Sequence, residues 1–99
     1  MSDEFLKVAR QEVQSEIEKL ERIVSHCNND EHIFKNSQNI KEHLHKIKGL
    51  APMIGHEKVG EIARTSDNIL KHITSKGALP GSCHAIAKAV EDMKKYFMA

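Results

Sequence analysis

The sequence predicts an all-α protein, an antiparallel up-and-down four-helix bundle, on three observations. Apolar residues recur at three- and four-residue spacing along most of the chain. The breaks between these patterns are short and rich in Asn, Asp, Gly and Pro. No stretch competes with the two-residue alternation of a strand. Four amphipathic helices with short connections are expected to pack as such a bundle, and 99 residues make one domain, 1–99, with a single core.

Residues 4 to 25 place Phe5, Val8, Ala9, Val13, Ile17, Leu20 and Val24 on one helical face, and Ser2 or Asp3 can cap its start. SHCNNDE (25–31) breaks the pattern with Asn and Asp, which favour turns and caps. A second helical pattern runs from about Glu31 to Ile54 through Ile33, Ile40, Leu44, Ile47 and Ala51. Its middle, NSQN, is weak helix material with room for a break near Asn36 or Ser37. Gly55 fits the left-handed position that ends a helix. The third helix is expected from about Glu57 to Lys76, with Val59, Ile62, Ser66, Ile69 and Ile73 inward. KGALPGS (76–82) then combines a C-cap Gly77, a loop Pro80 and an N-cap Ser82. The last helix, about 83 to 98, points Ile86, Val90, Met93 and Phe97 one way.

The net charge is near +1, which gives no basic footprint for nucleic acid. No apolar run approaches the ~18 residues of a membrane span. MSDEFLKVAR is acidic and amphipathic, unlike a secretory leader, so a cytoplasmic protein is expected. There Cys27 and Cys83 are expected as reduced thiols. Trp is absent and aromatics are scarce, which argues against a stacking platform. P-loop, kinase glycine-loop and Gly-x-Ser-x-Gly patterns are all lacking, so no ATP binding by those routes is expected. The chain begins with Met and ends soon after its last helix, which favours a free-standing protein, expected to be a monomer.

Chemistry concentrates in HLHKIKGLAPMIG (43–55). A helix advances about 100° per residue. On that wheel Leu44, Ile40, Ile47 and Ala51 mark the core side, and His45 lies about 130° from it, toward solvent. Gly49 projects from almost the same strip one turn on, and its missing side chain leaves room beside the imidazole. Such a glycine costs a helix about 1 kcal/mol. Lys48 lies between that strip and the core, where it supplies a positive charge for an anion on His45, and Lys41 flanks the other side. An imidazole with an ordinary pKa near 6.5 offers one nucleophilic nitrogen at cellular pH. Nucleophile, cation and cleared approach suggest phosphoryl transfer, which depends mostly on positioning and charge neutralisation.

The string HKIKGLAPMIG (45–55) resembles the signature of histidine-containing phosphotransfer (HPt) domains. It does so through His45, Ile47, Lys48, Gly49, Ala51, Ile54 and Gly55, and helix order matches along nearly the whole chain. The resemblance implies a phosphocarrier without kinase activity of its own. It would exchange a phosphoryl group with the aspartate of a response-regulator receiver domain, or serve a hybrid histidine kinase. His45 would be the phosphoacceptor at Nε2, Lys48 the phosphoryl-contacting cation, and Gly49 the clearance for the receiver. In the similar domain of chemotaxis kinases a carboxylate 22 residues past the histidine binds Nδ1; here that position is Asp67, placed by phase at the edge of the third helix. The resemblance also implies a docking patch of Phe34, Lys41, Gly49 and Pro52, with Mg²⁺ supplied by the receiver and no cofactor in this chain. Pro52 and Leu44 stand where the family usually has smaller residues.

Two other readings are kept beside this one. A helical module of the same shape would bind a receiver or kinase without carrying phosphate. A zinc-binding bundle would gather His26, Cys27, Cys83 and His84 at the tip shared by the end of the first helix and the start of the last. A di-iron site is disfavoured, because Glu42-x-x-His45 occurs once and Glu42 projects away from the core.

Overall fold

The computed structural model describes residues 2–99. It contains five α-helices and one 3-10 turn: α1 (Asp3–Val24), α2 (Asp30–Lys35), α3 (Ser37–Leu50), the 3-10 turn (Pro52–Ile54), α4 (Glu57–Lys76) and α5 (Ser82–Met98). No strand occurs among the described residues. No helix among them is long and apolar enough to cross a membrane. The four long helices pack in a closed ring of neighbours, α1 on α3, α3 on α4, α4 on α5 and α5 on α1.

The helix count corrects the expectation of four. The second predicted helix is divided at Asn36, whose φ of −102° and ψ of 10° leave helical geometry. Asn36 closes α2 through its backbone N–H to the His32 carbonyl and opens α3. Its side chain also donates to the His32 carbonyl, at 2.8 Å. That local bond competes with helix continuation, as Asn side chains commonly do. At the far end of α3, Pro52 has no N–H for the Lys48 carbonyl, and the chain tightens into the 3-10 turn. Gly55 ends that turn at φ 86°, in the left-handed region where a Cβ is penalised.

Side-chain caps fix the starts of α1, α2 and α5. Ser2 accepts from the Phe5 N–H to start α1, and Asn29 accepts from the His32 N–H to start α2. Ser82, expected as an N-cap, lies inside α5, and the capping position is Gly81, which has no side chain to use. The cap comes instead from α2. Asp30 accepts from the Gly81 N–H at 2.9 Å and from the Cys83 N–H at 2.8 Å, one bond per carboxylate oxygen. These bonds hold the Asp30 carboxyl below the usual aspartate range.

The core joins Val13, Ile17 and Leu20 of α1 to Ile40, Leu44 and Ile47 of α3, Ala63, Leu70 and Ile73 of α4, and Ile86, Val90 and Met93 of α5. Phe5 and Val8, expected inward, are exposed, and the core face of the first two turns of α1 is formed instead by Ala9 with Leu6 packed beside it. In α4 the buried face is turned toward Ala63 and Leu70, leaving Ile62 and Ile69 half-buried. That rotation brings Asp67 inside, 1 % exposed, where phase counting had placed it at the edge.

The thiol expectation is also overturned. Cys27 follows α1, Cys83 sits in the first turn of α5, and the two are joined in a disulfide with Cα atoms 6.0 Å apart. Asp30 draws the start of α5 against α2, and this brings the cysteines within bridging distance.

Candidate functional site

His45 lies on the third turn of α3 and is exposed, while its neighbours Leu44 and Ile47 are fully buried. Helical phase accounts for the contrast. An open groove along α3 and α4 is lined by His45 with Lys41, Glu42, Lys46, Lys48, Asp67 and Lys71. Four ammonium groups face two carboxylates there, so the groove favours an anion.

Gly49 is the next residue on this strip. A Cβ built on it meets nothing within 4 Å, and no contact within the chain therefore requires glycine at this point of α3. Lys48 crosses toward α4 and donates from Nζ to Asp67 Oδ2 at 3.0 Å. Lys71, one turn after Asp67, brings its Nζ within 3.6 Å of the same oxygen. The Asp67 side chain is 2 % exposed, and its Oδ1 has no hydrogen-bond partner. Its carboxylate thus bonds Lys48 and not the His45 ring, the contact implied by the chemotaxis-kinase comparison.

The other implied docking residues divide between neighbouring surfaces. Lys41 lines the His45 groove. Pro52 is exposed and lines an adjoining recess with Lys48, Gly60, Glu61 and Arg64. Phe34, 36 % exposed, sits on α2 and outside the groove. For the zinc reading, His26 and His84 are exposed and the Cys27 and Cys83 sulfurs are bonded to each other, so they are not thiolate ligands. No group of three or more metal-ligating side chains forms among the described residues.

Two features escaped the sequence. Lys71 is one; its i+4 spacing from Asp67 is a helix ion-pair signal that gained meaning only with Asp67 inside. The other is a buried polar cluster on the opposite flank of α3. Glu16 of α1, fully buried, accepts from His43 Nδ1 at 2.9 Å and from Lys19 at 3.1 Å, with Lys46 at 3.5 Å. Burial pushes the Glu16 carboxyl up, but the bonds from His43 and Lys19 and the nearby charges outweigh it, and it lies below the ordinary glutamate value. A glutamate on the apolar face between Val13 and Leu20 was the available signal, since a buried charge needs partners.

Compared with known families, residues 4–96 match the model of the family described as Hpt domain. No curated protein and no solved structure matches the chain.

Proposed function

Because this chain belongs to the Hpt domain family, whose members carry phosphoryl groups on histidine in phosphorelays, we propose that His45 is the residue that carries the group here. One observation supports this reading above the others. His45 is exposed on a cationic groove, next to a helical glycine that nothing inside the protein requires. The missing Cβ costs helix stability, and that cost has a purpose if another protein must come close to the ring.

The partner is a receiver domain, and its phosphoaspartate is the donor or its aspartate the acceptor. In the forward step Nε2 of His45 attacks phosphorus in line. The N–P bond forms as the P–O bond to the aspartyl carboxylate breaks, and that carboxylate leaves with the electron pair. Mg²⁺ belongs to the acidic pocket of the receiver. Lys48 offsets charge on the phosphoryl oxygens from this side. Gly49, Lys41 and Pro52 lie under the docked receiver. The domain acts as a carrier, with no kinase activity of its own.

Incubation with a phosphorylated receiver is expected to give acid-labile, alkali-stable label on the protein. His45→Ala should abolish the label, and His45→Gln should do so with the fold intact, because the side chain is exposed. Label persisting in His45→Ala removes this residue from the scheme. Receiver binding without label in the unmodified protein points instead to an interaction module.

A further inference from the structure

The Asp67 carboxylate has a role beyond fixing one lysine. It is almost fully buried, yet both of its cationic partners, Lys48 and Lys71, extend into the groove that also holds His45. Both approach the same oxygen, Oδ2, while the buried Oδ1 has no partner. Any anion entering the groove meets two ammonium groups already engaged by a fixed negative charge. We propose that Asp67 competes with the phosphoryl group on His45 for Lys48 and Lys71, and thereby sets how loosely the domain holds its cargo.

This inference rests on His45 as phosphoacceptor, and its physics is a balance of charges. A phosphoryl dianion gains from the two lysines only as far as they leave Asp67 or are shared with it. Asp67 also repels the dianion directly, and its burial reduces the solvent screening that would hide that repulsion. Both effects raise the free energy of the phosphorylated form relative to the free form. A carrier benefits from this, because a group held too tightly is not passed on. Lys71 is then a second cation for the phosphoryl group and Asp67 a positioning residue acting through the lysines.

Asn in place of Asp67 keeps the shape and removes the charge. Gln in place of Lys71, which is 57 % exposed, removes one cation from a surface position where folding is little disturbed. The test titrates inorganic phosphate into the full unphosphorylated chain at low ionic strength, following the His45 and Gly49 amide resonances. A second measurement takes the equilibrium of phosphoryl exchange with a receiver. Asp67→Asn is expected to tighten phosphate binding by about threefold or more, the scale of one partly screened charge, and to move exchange toward the phosphorylated protein. Lys71→Gln should move both quantities the other way. Unchanged or weaker phosphate binding in folded Asp67→Asn overturns the proposal. Unchanged binding in Lys71→Gln overturns it as well, even if the Asn variant does not fold. Phosphate binding that follows this order while His45 takes no label leaves the charge competition standing and removes the carrier reading. Label on His45 with phosphate binding indifferent to both substitutions does the reverse.

Discussion

Gly49 and Gly60 are glycines for opposite reasons, and substitution separates them. At Gly49 an added Cβ meets open space. Gly49→Ala is therefore expected to stabilise the protein by about 1 kcal/mol through helix propensity, seen as a higher urea midpoint. Gly49→Leu should leave helix content intact and block phosphoryl transfer, because the larger side chain stands in the path of the receiver. Unimpaired transfer in that variant would count against docking over Gly49. At Gly60 the added Cβ would lie 2.8 Å from Pro52 Cγ and 3.0 Å from its Cδ. A proline ring has little freedom to retreat, so Gly60→Ala should cost about 1–3 kcal/mol, read from the same urea curves. Pro52 thus has an internal partner that the sequence did not suggest. Periodicity says which face a residue occupies and is silent about which neighbour comes closest to it.

The helices themselves show where sequence pattern suffices. α1, α4 and α5 begin and end within a few residues of the expected bounds, because strong apolar periodicity and flanking Ser, Gly and Pro agree. The division at Asn36 was visible only as weakness in NSQN, since propensity alone does not decide between a strained helix and two short ones. The cap of α5 was out of reach altogether, for it comes from Asp30 across 51 positions of sequence. This cap carries a pH dependence of defined sign. The Asp30 pKa is lowered in the folded state, first by the Cys83 N–H and then by the Gly81 N–H. Its stabilisation is complete above the ordinary aspartate pKa of about 3.9 and disappears as pH falls through the lowered folded value. Thermal unfolding followed from pH 7 down to acid should show this loss, and Asp30→Asn should flatten that part of the profile while lowering the midpoint at neutral pH.

Taken as one body, the protein is a ring of four long helices that positions a histidine, a lysine and a bare stretch of backbone on one face. The exposed histidine, the glycine beside it and the family were apparent from one short string on α3, because a rigid helix converts spacing into direction. Asp67 was misplaced because the apolar face of α4 was centred on Ile62 and Ile69, when Ala63 and Leu70 lie deeper. The disulfide was missed because its two cysteines are 56 residues apart and an expected compartment stood in for geometry. In the chain-entropy account, closing a loop of that length contributes about 4 kcal/mol. Reduction, or Cys27→Ser with Cys83→Ser, should lower the denaturant midpoint by a large part of that, and an unchanged midpoint under reductant would show that the bond contributes nothing to stability.

That bond also gives the molecule a direction in which to come apart. The tip holding Cys27 and Cys83 is sewn together covalently and clasped by Asp30. At the other end of α5 the ties are noncovalent: the His56 and Phe97 rings lie 4.7 Å apart, and Lys94 pairs with Glu21 of α1 at 2.8 Å. Local opening is therefore expected first at that unsewn end, as faster amide exchange there than at the disulfide tip, and His45 is carried on the helix that runs between the two.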